Sequence, residues 1–462
     1  MALPTTESDW VARLSALHDA ERPKLKAFDD EYELRSPRSY MHPDLMREIG
    51  DRLEQVVIAW PQLVVDSVEE RLDVEGFRLP DEDAGDDDAW RVWQDNNCDE
   101  GAQQGRVDAL VMKRSYICVG ANEADPDTPL VTFESPLEMY ADVDPRTRQV
   151  RAALRRTVDP EALQAGAVTG VQYATLYLPN VNVWYENGKE VDRDEHNIGR
   201  PLVEPLVNRA RLSDWLGRSE LAPILPLAHA ANKIATDMMV GAEFVALPIR
   251  GIFGIGPEDL EDEQGNKLTA LQTLLRRLLT IPNDDGTARQ FEFAGANLSN
   301  FHDSINQLAR LVASIAGLPP HYLGLTTENP PSADSIRSAE MRLVKRAERK
   351  QVPWGGSYEN AMRLVKRIQE GDWDPRYRRM ETIWRDPSTP TVAQQADAAV
   401  KLYTTQPKPI VPLRLTRERI GLTQAQIARA EEEDKQQAAE DPLSRIADQL
   451  QTRGGSLANA GS

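Results

Sequence analysis

Six histidines, at positions 18, 42, 196, 229, 302 and 321, are the side chains best suited to bind a metal or move a proton near neutral pH. None forms an HxH, HxxxH or HExxH pair, so a metal site needs assembly from distant segments. Satisfied core or surface histidines are the simpler reading. Cys98 and Cys118 can build neither a disulfide framework nor a zinc knuckle of paired cysteines, which fits a reducing compartment. For acyl transfer, Ser219 in GRSEL and Ser357 in GGSYE each lack the second glycine of a GxSxG elbow. There is no GxxxxGK[ST] phosphate loop. The GIFGIG run at 251–256 has the wrong spacing for a dinucleotide fingerprint and leads into Pro257, Glu258 and Asp259, whose charges repel phosphate. A glycine-rich strand end accounts for it. Carboxylates are abundant, but none stands in an apolar surround that singles out a general acid. The residues point to no enzyme, no metal and no cofactor.

Charge is more informative. The chain holds 54 basic and 74 acidic side chains, a net −20, which excludes a protein whose whole surface grips phosphate backbones. Within it, residues 337–367 carry nine basic and three acidic side chains. Arg337, Arg342, Lys345, Arg346, Arg349 and Lys350 surround a helix except along its apolar stripe of Ile336, Ala339, Leu343, Val344 and Ala347. That pattern reads as a solvated helix or a subunit interface ahead of a nucleic-acid face. At the other extreme, DEDAGDDD places six acids in residues 81–88. Self-repulsion predicts a solvated loop there, and the spaced ligands and central glycine of a calcium loop are missing.

The elements that must position these groups are mixed. At 462 residues, a prior of about 150 residues per domain suggests about three units. The N-terminus lacks a basic region followed by an apolar core, so no signal peptide is expected. The most apolar stretch, 221–249, carries His229, Asn232, Lys233, Asp237 and Glu243, so no transmembrane helix is expected. Helices are predicted over 8–28, 43–60 and 89–105, with a strand or a short helix leading into one over 63–77. Short β-rich runs between 107 and 184 predict a sheet-forming domain, and Asn187-Gly188 is a tight-turn signal. A long helix is predicted from near Glu220, with Ile224, Leu227, Ala231, Ile234, Met238, Ala242 and Val245 on one stripe. A small module over 246–296 follows: an extended run, an acidic turn, a short helix TALQTLLRRLL over 269–279 and a final strand RQFEFAG from Arg289. A second long helix from Leu298 shows Phe301, Ile305, Leu308, Val312 and Ile315 on one face, and ends at Gly317 before Pro319-Pro320. Then come a polar loop, a third long helix over 333–351 that Ser332 can cap, a Pro-rich linker WRDPSTPT and short helices in the tail. Residues 441–462 have the composition of a disordered terminus.

This order of helix, small module, helix, GLPPHYLG at 317–324, polar loop and basic helix SADSIRSAEMRLVKRAERKQ resembles the portal proteins of tailed bacteriophages. The similarity is greatest to the siphophage branch infecting Gram-positive hosts, and WPQLVVDSVEERLDVEGF at 60–77 and ETIWRDPSTPT at 381–391 share it. The resemblance implies a helix-rich α+β portal fold assembled as a ring, typically of twelve subunits, at the unique capsid vertex of the virion, after assembly in the host cytoplasm. It implies no catalysis, no cofactor and no membrane partner. Double-stranded DNA would pass through the ring during packaging and ejection, and the partners would be the terminase packaging motor, head-tail connector or adaptor proteins and the major capsid protein. By the same resemblance, residues 1–220 are the first part of the wing, 221–245 and 298–317 the stem helices, and 246–297 the clip. Residues 318–335 are the breaker and tunnel loop, 336–386 the second part of the wing, 387–440 the crown and 441–462 a disordered tail. Thr326, Thr327, Glu328, Asn329 and Pro330 would form the channel constriction. Glu258, Asp259, Glu261 and Asp262 would bind partners at the clip. The basic helix would contribute Arg337, Arg342, Lys345, Arg346, Arg349 and Lys350. An acidic chain suits a conduit, because tight phosphate contacts would act as a brake on sliding DNA. Two other classes stay open on the residues alone: a structural or scaffolding oligomer without DNA, and a nucleic-acid enzyme whose site one sequence hides.

Overall fold

A computed structural model describes residues 3–37, 55–80, 85–158, 172–245, 250–253, 278–281, 289–292, 298–325, 333–388, 397, 399–401, 403 and 410–440. Two compact units emerge. The first takes residues 1–26, 66–219 and 340–462; the second takes 27–65 and 220–339.

Helix α1 spans Glu7–Tyr32. Trp10, Val11, Leu14 and Leu17 recur at helical spacing on it and pack against Tyr140, Leu154, Leu176 and Val183 of a sheet. Helix α2, Trp60–Glu69, precedes strand β1, Val74–Arg78, so the ambiguous run at 63–77 is a helix leading into a strand. The helix expected as one piece over 89–105 is two, α3 (Asp87–Asp95) and α4 (Cys98–Met112). Asn97 at the break has φ +51, a left-handed conformation that asparagine tolerates. The Asn96 side chain explains the gain: its Nδ2 donates to the carbonyls of Val92 and Pro129, both at 2.9 Å, and its Oδ1 accepts from the Val131 amide at 2.9 Å. A continuous helix could not make that connection. Residues 109–112, expected as β, instead finish α4, and strand β2 starts at Arg114.

Strands β2 (Arg114–Gly120), β3 (Leu130–Glu134) and β9 (Val203–Val207) form a three-stranded antiparallel sheet in the order β3-β2-β9. Between β3 and β9 in the chain, β4 (Met139–Val143), β5 (Val150–Val158), β6 (Gln172–Tyr177), β7 (Asn182–Glu186) and β8 (Lys189–Asp194) form an antiparallel meander. Asn187 and Gly188, both at positive φ, make the tight turn between β7 and β8. The edge strand β8 is almost wholly exposed and charged at five of its six positions, which discourages further strand pairing.

In the second unit, helix α5 is Leu225–Val245 and α6 is Ser299–Ala316. Between them lie β10 (Arg250–Phe253), β11 (Leu278–Ile281) and β12 (Arg289–Glu292), with β10 central, parallel to β11 and antiparallel to β12. The expected helix over 269–279 is contradicted at its end: Leu278 and Leu279 are strand, because they pair with Arg250 and Gly251. The rest of that segment and the acidic turn lie outside the described residues.

Helix α7, Ala333–Glu370, runs 38 residues through Pro353 rather than ending at Gln351. Proline weakens a helix interior, but tertiary contacts hold the segment: the Trp354 indole donates to the Val207 carbonyl at 2.9 Å, and Trp354 and Tyr358 are fully buried. Strand β13, Glu381–Trp384, lies just ahead of the expected Pro-rich linker, sharing only Trp384 with it, and pairs antiparallel with β1. Helices α8 (Leu413–Arg419) and α9 (Gln424–Glu440) complete the first unit. Its core includes an aromatic cluster in which Trp93 meets Phe77 at 5.4 Å, Phe133 at 6.3 Å and Tyr358 at 5.3 Å between ring centroids, all edge-on. Gly101 and Gly105 of α4 admit Phe133, since a Cβ at either would stand under 3 Å from its ring.

Candidate functional site

The expected channel residues Thr326, Thr327, Glu328, Asn329 and Pro330 and the expected clip residues Glu258, Asp259, Glu261 and Asp262 lie outside the described residues. The elements leading to the 326–330 segment are described. Gly317 closes α6 in a left-handed conformation, φ +70, and the Leu318 amide returns to the Ala313 carbonyl at 3.0 Å. Pro319 is extended, Pro320–Leu323 is a single 3₁₀ turn, and Gly324 is again left-handed at φ +74. The breaker is thus a built turn with two glycines whose φ only glycine adopts freely.

Helices α5 and α6 bury small side chains. Ala228, Ala231 and Ala235 on the first and Ala309, Ala313 and Ala316 on the second are all at most 4% exposed. The buried stripe of α5 is displaced from the expected one: Leu227, Ile234 and Met238 are half-buried, while Asn232 and Thr236 go inside. The reason is polar. Asn232 Oδ1 accepts the Ile58 amide at 2.8 Å, and Thr236 Oγ1 donates to the Asn232 carbonyl at 2.8 Å. On α6, Val312 is buried as expected, but Ile315 faces outward, as does Leu311.

On α7 the six expected cations divide. Arg337, Arg342, Lys345 and Arg349 are exposed and Arg346 is half-buried, but Lys350 is only 6% exposed. Its ammonium donates to Asn208 Oδ1 at 2.5 Å and lies 5.6 Å from the Trp354 ring centroid. The solvated reading is therefore wrong for Lys350, whose charge is spent on fixing the segment after β9. In the apolar stripe, Leu343 and Ala347 are buried, whereas Ala339 is exposed.

The acidic run also needs correction where it is described. Asp86 is the N-cap of α3, accepting the Ala89 amide at 3.0 Å, and Asp88 accepts from buried Lys366 of α7 at 2.7 Å. Burial would raise the Asp88 carboxyl, but hydrogen bonds from Lys366 and Arg91 hold it below its ordinary range. Asp86 three residues before Ala89 is a capping pattern that could have been read from the sequence. Lys366 carries no such signal.

Two further networks escape sequence reading, and a third centres on a histidine of the satisfied kind expected. Arg106 Nη2 meets Glu69 Oε1 at 2.8 Å, with both side chains about 5% exposed, and Arg106 reaches the Tyr358 hydroxyl. Burial still leaves Glu69 above the usual carboxylate range despite Arg106. Arg114, fully buried, bonds Glu21 Oε2 at 2.5 Å and the Tyr116 hydroxyl at 2.7 Å. Burial works against the Glu21 carboxylate, yet Arg114 and Lys113 bring its pKa down to about 2. His18 is a satisfied core histidine: one ring nitrogen lies 3.1 Å from the Pro136 carbonyl and the other 2.8 Å from Arg156. Burial, then Arg156, lowers its pKa. Both cysteines are buried thiols; burial pushes Cys98 up to about 12, and Cys118 is raised for the same reason. Among the described residues no group of three or more His, Cys, Asp or Glu is placed to hold a metal, and no helix is long and apolar enough to cross a membrane.

The described residues thus provide long helices, charge clamps and a turn leading toward residues 326–330. Comparison with known proteins gives the family. The family model described as phage portal protein, SPP1 Gp6-like, matches residues 12–440. The portal protein of Mycobacterium phage D29 is 39% identical over 435 residues, spanning 90% of this chain and 88% of that one. The portal protein of Mycobacterium phage L5 is 40% identical over 399 residues, 82% of this chain and 80% of that one. Among solved structures, a chain from the virion of a native gene transfer agent particle aligns with a TM-score of 0.45 at 13% identity, over 86% of this chain and 99% of that one.

Proposed function

Because the chain belongs to the SPP1 Gp6-like family of phage portal proteins, we propose that it closes into a ring at the unique capsid vertex, through which double-stranded DNA enters during packaging and leaves at ejection. As a portal it is a structural, non-enzymatic component of the phage virion. The family match across residues 12–440 carries the reading. In the proposed ring, typically of twelve copies assembled in the host cytoplasm, α5 and α6 are the stem and the module between them is the clip. The clip, with Glu258, Asp259, Glu261 and Asp262, docks the terminase motor and later the connector proteins, while the major capsid protein surrounds the ring. Residues 1–220 and 336–386 supply the wing, and residues 387–440, with α8 and α9, the crown.

Residues 326–330 form the channel constriction in this reading. The support is their polar composition and the hydrogen-bonded turn at 317–324 that leads to them. A net charge of −20 favours passage, because a wall that binds phosphates tightly would retard the duplex. Electron microscopy of the purified protein tests the ring: a central hole wide enough for a duplex is expected, and a filament or compact dimer overturns it. Deleting residues 326–330 is expected to spare ring assembly and to impair packaging or retention of DNA. A deletion phage that packages and holds full-length DNA removes the constriction from these residues.

A further inference from the structure

The C-terminal end of α7 and the 3₁₀ turn after it, Pro375–Arg379, enclose a pocket of about 80 Å³ that the portal reading leaves unused. It is lined by Arg363, Arg367 and Arg378, by Trp373 and Tyr377, and by Asp372 and Asp374. Residues 363–379 hold six basic and three acidic side chains, against the trend of a −20 chain.

The positive charge here is incompletely answered. Arg363 spends its N–H groups on neutral acceptors: the Tyr377 carbonyl at 2.7 Å, the Arg378 carbonyl at 2.8 Å and Asn360 Oδ1 at 2.8 Å. Its nearest carboxylate, Glu359, stands 3.7 Å away, and burial lowers the guanidinium pKa. The buried Nε of Arg367 has no hydrogen-bond partner. Exposed Arg378 makes no ion pair among the described residues. Two acids, Asp372 and Asp374, also line the pocket, so three cations face two carboxylates there. Asp372 accepts the Trp373 amide at 2.7 Å, and Asp374 takes both the amide and the side chain of Arg376, at 2.8 and 2.7 Å. Trp373 is left 40% exposed beside these cations.

We propose that this pocket anchors an acidic side chain of a protein partner, its carboxylate entering between Arg367 and Arg378 while a neighbouring apolar residue covers Trp373. Arginine, tryptophan and tyrosine are the residue types that dominate binding hot spots, and a forked guanidinium matches a carboxylate. Size and shape favour a peptide over a nucleic acid. The pocket is a narrow concavity suited to one group on a flexible stem, whereas a duplex presents its phosphates along a stiff rod that is too wide to enter it.

Fluorescence anisotropy on the full-length protein tests this with a labelled Glu-Glu-Leu-Glu-Glu-Leu peptide, its Gln counterpart and a short DNA duplex. The Glu peptide is expected to bind, in a salt-dependent manner, and the Gln peptide not. Arg367→Gln and Arg378→Gln should each weaken binding about tenfold, the scale of one lost charge-assisted contact. Trp373→Ala should weaken it severalfold, and Lys345→Gln, on a distant turn of α7, should leave it unchanged. Circular dichroism melts confirm that each variant is folded. Absence of peptide binding, an equal loss in Lys345→Gln, or a duplex that displaces the peptide with the same dependence on Arg378 overturns the proposal.

Discussion

In the second unit, the neighbouring helices α5 and α6 each bury a row of alanines, with one asparagine of α5 turned inward to hold the Ile58 amide. In the first unit, α7 is held by charges and rings instead: Lys350 to Asn208, Lys366 to Asp88, Tyr358 to Arg106 and Trp93. The difference concerns what each contact tolerates. Small side chains set the distance between two helices and admit no enlargement, whereas a buried ion pair fails when one partner is removed.

Removing one partner should have the largest effect. Arg106→Ala leaves the Glu69 carboxylate buried without its counter-charge and is expected to destabilise the first unit by about 3–5 kcal/mol, seen in a thermal melt. Replacing both at once, Glu69→Leu with Arg106→Met, should cost far less. If the double variant is as unstable as the single one, packing rather than charge holds α4 there. Enlargement comes next. Ala231→Leu is expected to cost about 2–3 kcal/mol by overpacking α5 against its neighbours. Native-state hydrogen exchange should show lost protection in α5 and α6 with little change in β2–β9. Equal loss in both units would erase the distinction.

Acid separates the units more gently. The folded Glu21 carboxyl has a pKa near 2, below its ordinary 4.5, so its contribution is complete above about pH 4.5 and is lost as pH falls from there toward 2. After allowance for solvent screening this amounts to about 2 kcal/mol, and Glu21→Gln should flatten the dependence of first-unit stability on pH in that window. The smallest effect expected is at the breaker. Gly317→Ala places a Cβ at φ +70 and should cost about 1 kcal/mol, read as earlier fraying of the α6 C-terminus.

These contrasts also explain what could be read in advance. Gly317 before Pro319-Pro320 marked the end of α6 to the residue, because helix termination is local chemistry. The α3–α4 break could not be placed the same way, since Asn96 earns its position by bonding Pro129 and Val131, more than thirty positions on. The same distance hides buried cations. Nothing in residues 337–367 distinguishes Lys350 and Lys366 from solvated lysines; their partners, Asn208 and Asp88, lie 142 and 278 positions away. For α7, a proline outweighed in tertiary contacts made the helix longer than its local signals allow, and β13 exists only because β1 is there to pair with it.

That last pairing sets a timetable. Strand β1 leaves the ribosome early, but its partner β13 follows only after some three hundred further residues. At about 5–20 residues per second, the nascent chain waits roughly 15–60 s with β1 unpaired. During that interval Phe77 and the open strand edge are available to any other unfinished copy on the same message. For a protein that assembles with further copies of itself, that interval is an aggregation hazard which pairing with β13 ends.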